Sequence, residues 1–317
     1  MLHHTGFMET NYPWLTVSGF GSHIKSTQTK LIIQKKNGNE EYPIESVKNL
    51  LVVGGHTISS ATITQLIKKG AVISFFEPDG NPIGIISPFG YHNENEVNHA
   101  HQTGSRHRYA TAIAQGALKS RLFAINRLQE NQNVSLFYEG ESDFLYKSLD
   151  EMAYLIKLDE IRRLHRMTSD MYYEIMSRNT KPDFGFRRRT LRPQTDPINA
   201  MLSFGYAMLF GNCCVSLIGA RLDPDIGLLH EGNGSLVNDI AESMKSEMID
   251  PAVFMIARES LTPADFELTH DRCLLSDELA RTLIKTFHDT INNNKIDEQV
   301  FNLSNAIKNN GEFKALY

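Results

Sequence analysis

The stretch DPINAMLSFGYAMLF at 196–210 decides how this chain is read. Asp196 suits the cap before a helix. Pro197, which has no backbone N–H to leave unsatisfied, suits the first helical position. A long apolar helix follows. The segment 149–175 has the same character, with Met152, Leu155, Ile156, Ile161, Leu164, Met171, Tyr172 and Ile175 recurring at three- and four-residue spacing on one helical face. From about residue 103 the pattern is helical almost throughout, broken by the basic, two-proline loop 178–196.

Upstream the chain reads as β. Trp14–Val17, Lys30–Gln34, Tyr42–Ile44, Asn49–Val53, Ala71–Phe76 and Ile83–Ile86 are strand candidates, and Lys36-Asn37-Gly38-Asn39 is a hairpin turn between two of them. Ser59–Lys69 has helical spacing and stops at Gly70. The expected class is α+β: an N-terminal β domain over 1–88, a polar linker over 89–102 and an all-α domain over 103–317. This is not the βαβ alternation of a Rossmann fold. Walker, GxGxxG and GxSxG motifs are absent, which argues against an ATP-driven enzyme and the commonest serine hydrolases. Asn294–Tyr317 is polar and expected to be mobile near its end.

The chain has 317 residues, 41% hydrophobic and 22% charged, and three cysteines without CxxC spacing. That fits a two-domain cytoplasmic protein with reduced thiols. No uninterrupted run of about 18 apolar residues is present, so no membrane span is expected. The net charge of −5 says nothing of nucleic acid, but its distribution does. Residues 97–129 carry Arg106, Arg108, Lys119, Arg121 and Arg127, with His99, His101 and His107, and no acid. Residues 181–192 carry Lys181, Arg187, Arg188, Arg189 and Arg192 against Asp183. Residues 222–271 hold eleven acids and two bases. A cationic surface beside an acidic pocket suits a protein that grips phosphates and holds a divalent cation. The plainer alternative is two solvated faces of opposite sign.

The acidic region contains GLLHEGNGSLVNDIAESMK at 227–245. Gly227-Leu228-Leu229-His230 is apolar up to the histidine, Glu231–Gly234 must turn, Ser235 resembles an N-cap, and Leu236–Lys245 reads as a helix. Asp239 and Glu242, three apart, share a face; with His230 close by they form a candidate divalent metal site. Lys245 lies one step further along and could neutralise a phosphate. A solvated acidic helix beside a loop histidine is the alternative.

These blocks resemble the large integrase subunit of CRISPR adaptation complexes, a family whose patterns include "GFLH" followed by "DxxD/E", "DPVNALLSFGY", "RPP", "LTPEDF" and "NGIPVVFLD". The counterparts here are Gly227–His230 with Asp239–Glu242, Asp196–Tyr206, Arg192-Pro193, Leu261–Phe266 and Lys69–Phe76, covering about Trp14 to Ala306. The resemblance implies a β domain that pairs two chains into a homodimer, and a small ferredoxin-like CRISPR adaptation partner. It also implies DNA as substrate and a divalent ion, Mg or Mn, for transesterification by a DNA 3′-hydroxyl. His230, Glu242 and Lys245 are then the catalytic candidates; His165, His230, Glu242 and Asp239 the metal candidates; and Arg106, Arg108, Lys119, Arg121, Arg187, Arg188, Arg189, Arg192 and Lys245 the DNA-binding candidates.

One block departs from the pattern. The family reads "EIRGIEGxAARxYY"; this chain reads EIRRLHRMTSDMYY at 160–173, so the metal glutamate falls on His165 and its glycine on Arg166. Asp170, about 140° further round a helix, cannot take its place, and Arg163 and Arg166 make a poor setting for a cation. Three readings follow. His165 is an adapted ligand that, with His230 and Glu242, favours a softer ion than Mg; or the metal is lost and the chain is a non-catalytic DNA-binding and assembly subunit; or His165 only packs. An RNA-binding or structural protein using the basic helices is a further alternative.

Overall fold

The computed structural model describes residues 11–91, 101 and 104–317. His99 and most of the expected linker lie outside them. The chain forms two compact units, one of Met1–Glu96 with Gly211–Asp223, the other of Val97–Phe210 with Pro224–Tyr317.

The first unit is a six-stranded mixed sheet. Its strands are β1 (Trp14–Ser26), β2 (Lys30–Lys35), β3 (Gly38–Pro43), β4 (Asn49–Ile58), β5 (Val72–Phe76) and β6 (Pro82–Ile86), in the order β3-β2-β1-β4-β5-β6. β4 pairs in parallel with both β1 and β5, and the remaining pairs are antiparallel. Between β4 and β5 runs helix α1 (Ser60–Lys68), so one β–α–β unit is present inside a fold that does not otherwise alternate. The Ser59 hydroxyl accepts from Thr62 N–H at the start of α1, and Gly70, at φ +79°, turns the chain out of it. The continuous apolar run of β4 has a physical cause. Leu50 and Val52 join the core that includes Leu66 of α1, while Leu51 on the opposite face meets the chain at Gly219, whose backbone carbonyl also accepts from the Asn49 amide at 2.6 Å. β1 is far longer than its four-residue sequence signature. Gly19, Gly21 and a largely exposed Ser18–Gly21 stretch hide the continuation, which only Ser22 and Ile24 anchor.

The second unit is mostly helical: α2 (Arg106–Gln132), α3 (Glu141–Glu151), α4 (Leu158–Ser177), the first part of α5 (Pro197–Gly219), α6 (Ser235–Met244), a π turn (Lys245–Ile249), α7 (Asp250–Glu259), α8 (Asp277–Thr290) and α9 (Asn293–Lys308). The periodic stretch 149–175 is two helices rather than one, and Tyr154 and Ile156 between them point to solvent. A short antiparallel pair, β7 (Phe266–Leu268) and β8 (Cys273–Leu275), interrupts the helices and left no sequence signal beyond three residues per strand. The C-terminus is not the loose end expected. α9 buries Ile296, Val300, Leu303 and Ile307, and Phe313 beyond it is buried too.

α5 is long and apolar enough, by length and composition, to cross a membrane. Asn199, Ser203, Asn212 and Ser216 break it into short runs, which is why a search for an uninterrupted apolar stretch passes over it. More than half of it is buried inside the protein, as befits a core helix.

Candidate metal centre and its cleft

Three helices of the second unit converge on Glu242. α4 buries one stripe, Ile161, Leu164, His165, Thr168 and Tyr172, and this carries His165 inward to 7% exposure. α2 does the same with Arg121, which sits among Ala117, Leu118 and Ile125. α6 turns Asp239 and Glu242 to the interior. The loop before α6 brings in His230. Gly227 is required there, since a Cβ would stand 2.6 Å from the His230 carbonyl and 2.7 Å from Ser235. Ser235 is not the N-cap; Gly234 holds that position at φ +66°, while the Ser235 hydroxyl accepts from Gly227 N–H and donates to the Asp225 carbonyl, closing the turn.

Asp239 organises this loop. One carboxylate oxygen accepts from the backbone N–H of Leu228 at 2.5 Å and Leu229 at 3.1 Å; the other accepts from His230 N–H at 2.9 Å and faces His230 Nδ1 at 2.7 Å. With Nδ1–H donated to Asp239, Nε2 is the His230 nitrogen left facing the site, the usual carboxylate–histidine arrangement behind a metal ligand. Arg106 and Arg162 hold the same loop through the carbonyls of Leu228 and Leu229 and through Glu231.

Glu242, 5% exposed, is surrounded by nitrogen. Arg121 lies 2.7 Å from Oε2 and Lys245 2.5 Å from Oε1; His165 Nε2 is 3.3 Å from Oε2 and His230 Nε2 3.9 Å from Oε1. Burial pushes the Glu242 carboxyl up, but Lys245, His165 and Arg121 together hold it well below the usual carboxylate range. Burial dominates at His165 and holds it below the ordinary imidazole value despite Glu242. Burial also pulls His230 down, but the bond to Asp239 and the charge of Glu242 outweigh it and the net direction is up. The two rings meet edge to face, with centroids 5.7 Å apart. His165 Nδ1 and Arg121 Nη1 are buried with no hydrogen-bond partner.

Among the described residues, His165, His230 and Glu242 form a group that could hold a metal ion, each offering one atom, all within 4.8 Å of one another. Ligand atoms around an ion at 2.0–2.3 Å stand roughly 3–4 Å apart, so little closure is needed. Asp239 falls outside the group, its oxygens taken by the loop amides and His230 Nδ1.

The group lies in a cleft of about 930 Å3 lined by Arg121, Arg162, Arg166, Arg189, Arg192 and Lys245 against Asp159, Asp170, Glu231 and Glu242. The sequence-based cationic candidates therefore divide. Arg189, Arg192 and Lys245 line the cleft, with Arg189 braced by Asn199 and Ser203. Arg187 and Arg188 are exposed but are not among the lining residues. Lys119 is exposed on α2, and Arg108 reaches Asn310. Arg106 is committed to the loop, and Arg121 is buried under Glu242 at 3% exposure, so neither presents a cation to solvent in the manner expected. Arg163, expected beside the site, is exposed and does not line the cleft; Arg162 and Arg166 do.

Two features escaped the sequence. Arg121 had a signal, an arginine inside an apolar helical stripe. Asp250 had none, because an aspartate before a proline reads as an ordinary helix start. It is fully buried and accepts from the Tyr206 hydroxyl at 2.5 Å and the Tyr172 hydroxyl at 2.9 Å, while Tyr173 and Tyr206, 2.6 Å apart, line the cleft.

Fold and site together describe a sheet unit joined to a helical unit that carries a histidine–carboxylate group in a cationic cleft. The family described as "CRISPR associated protein Cas1" matches residues 15–289. The CRISPR-associated endonuclease Cas1 2 of Methanospirillum hungatei is 38% identical over 301 residues, 95% of this chain and 99% of that protein. A casposase bound to integration product superposes with a TM-score of 0.82 at 17% identity, over 98% of this chain and 99% of that one. A chain of a partial Cas6-RT-Cas1–Cas2 complex gives 0.77 at 19%, over 98% and 100%. The two structural likenesses are of fold. The chain belongs to the Cas1 family.

Proposed function

We propose that this protein is the large, DNA-handling subunit of a CRISPR adaptation complex, an integrase and endonuclease that joins DNA 3′ ends to a repeat. The observation that carries this is the position of His165, His230 and Glu242 at a cleft also lined by Arg166, Arg189, Arg192 and Lys245. Family membership and the casposase-like fold support it. The cleft cations bind backbone phosphate without reading sequence. Arg189, braced by Asn199 and Ser203, offers a fixed guanidinium, and Arg192 an exposed one. The 3′-oxygen of the incoming strand bonds to phosphorus as the repeat's own phosphorus–oxygen bond breaks. The attacking hydroxyl loses a proton and the departing oxygen gains one, so one phosphodiester replaces another and no ATP is consumed.

The donor set fits a divalent ion. His165, His230 and Glu242 would hold it; Asp239 would orient His230; Lys245 would meet a phosphate. When bound, the ion supplies positive charge to the phosphate oxygens during transfer. The sheet unit is the homodimerisation surface in this reading, and a small Cas2-type protein is the partner, in keeping with the Cas1–Cas2 complex among the structural neighbours.

A specific observation favours a second reading. Both oxygens of Glu242 already meet cations, and His165 Nδ1 has no partner. The alternative is a subunit that binds DNA and assembles the complex without transferring strands. Incubating the protein and a labelled 3′-hydroxyl duplex with supercoiled plasmid separates the two. The integrase reading predicts plasmid-joined label that disappears with a 3′-deoxy end and in His230→Ala. DNA binding without joined product under any divalent ion selects the assembly reading.

A further inference from the structure

We infer that the His165–His230–Glu242 group selects a borderline divalent transition ion, of the cobalt or zinc class, over magnesium. The inference rests on the reading of these three residues as the metal-holding group, and it concerns which ion they admit.

Magnesium takes hard oxygen ligands in near-ideal octahedral geometry and is drawn to sites of net negative charge. This group offers one carboxylate and two imidazoles. The carboxylate's attraction is already met by Arg121 at 2.7 Å and Lys245 at 2.5 Å. Asp239, the other acid nearby, is enclosed by three backbone amides and His230. Little net negative charge remains for a hard ion. Arg121 and Lys245 repel any dication alike, but zinc, cobalt and nickel bind imidazole nitrogen far more strongly than magnesium does, so the two histidines offset that repulsion for them and not for a hard ion.

The two histidines are not equally prepared. His230 has its second-shell carboxylate. His165 does not: with Nε2 turned to an ion, its ring proton sits on Nδ1, which is buried and unpartnered. Outer-shell partners of this kind are worth ~10–100-fold in metal affinity. The site should therefore bind cobalt or zinc selectively but more weakly than one with both rings supported.

The test is calorimetric titration of the full chain with Mg2+, Co2+ and Zn2+, with visible absorption of the cobalt form as a second readout. The expected result is Co2+ and Zn2+ binding at least ~100-fold tighter than Mg2+, as the preference of imidazole for such ions implies. The cobalt spectrum should show nitrogen ligation and should be lost in His165→Ala and His230→Ala. His165→Glu should narrow or reverse the preference by raising Mg2+ affinity. Magnesium binding as tight as cobalt, a cobalt spectrum unchanged in His165→Ala, or binding of no ion would each overturn the inference. Failure of the functional reading looks different: selective cobalt binding with no strand transfer leaves the inference standing and removes the integrase, whereas strand transfer with Mg2+ and no selectivity does the reverse.

Discussion

At the scale of single residues, Glu242 and Asp250 are buried carboxylates with opposite fates. Glu242 meets nitrogen on every side and stays ionised. Asp250 meets the phenols Tyr172 and Tyr206, with Arg121 and Lys245 acting only at a distance, and burial raises it from 3.8 to about 6. The folded protein therefore holds the Asp250 proton more tightly than the unfolded chain does. Stability from this group is complete below about pH 4 and is lost as pH rises through 6, by about 3 kcal/mol. Asp250→Asn keeps the shape and removes the titration. Unfolding free energies of wild type and variant should thus diverge between pH 4 and 7, with wild type losing ground; parallel curves would show that Asp250 does not titrate there. Asp239→Ala leaves three amides and His230 without their acceptor and should cost about 3 kcal/mol in chemical denaturation.

At the scale of elements, the loop 227–234 is held by its chemistry rather than by apolar burial alone. Gly227→Ala would drive a methyl group into the His230 carbonyl and Ser235. The expected cost is about 1–3 kcal/mol, with weaker metal binding because His230 moves; a variant with unchanged melting and metal affinity would mean that the turn relaxes freely. The same elements mark what sequence can carry. α5 and the β4 strand were legible because their burial patterns are strong and local. His165, His230 and Glu242 came forward together because the residue types are chemically distinctive and the blocks around them resemble a family. The role of Asp239 was not legible: a carboxylate three residues from Glu242 reads as a second ligand, and only the folded loop reveals the amides that occupy it. Arg106 and Arg121 were read as surface cations because composition cannot tell a guanidinium that holds a loop or a buried acid from one that faces solvent.

At the scale of the molecule, the sheet unit has an apolar edge. β6 is the terminal strand of the sheet, and its Ile83 and Ile85 are 63% and 57% exposed. An edge of that kind invites pairing with a second copy. If copies pair through this unit as proposed, Ile83→Lys with Ile85→Lys should convert the dimer to a monomer in sedimentation while leaving the thermal transition near its original position; a dimer of unchanged affinity would move the interface elsewhere. Removing residues 1–88 altogether is a poorer test, because Gly211–Asp223 belongs to the same compact unit. The cleft makes its own prediction. DNA affinity should fall with salt at a log–log slope of about −0.9 per phosphate neutralised, and Arg166→Ala with Arg192→Ala should flatten it, largely without regard to sequence.

The account turns on whether His165, His230 and Glu242 act together on one ion. Anomalous diffraction at the cobalt edge from crystals of the full chain grown with Co2+ tests this most directly. The account predicts a peak bonded to one nitrogen of each histidine and to a Glu242 oxygen, with Asp239 still on His230 Nδ1. A saturated crystal without a peak there, with Lys245 and Arg121 still closed on Glu242, would contradict it.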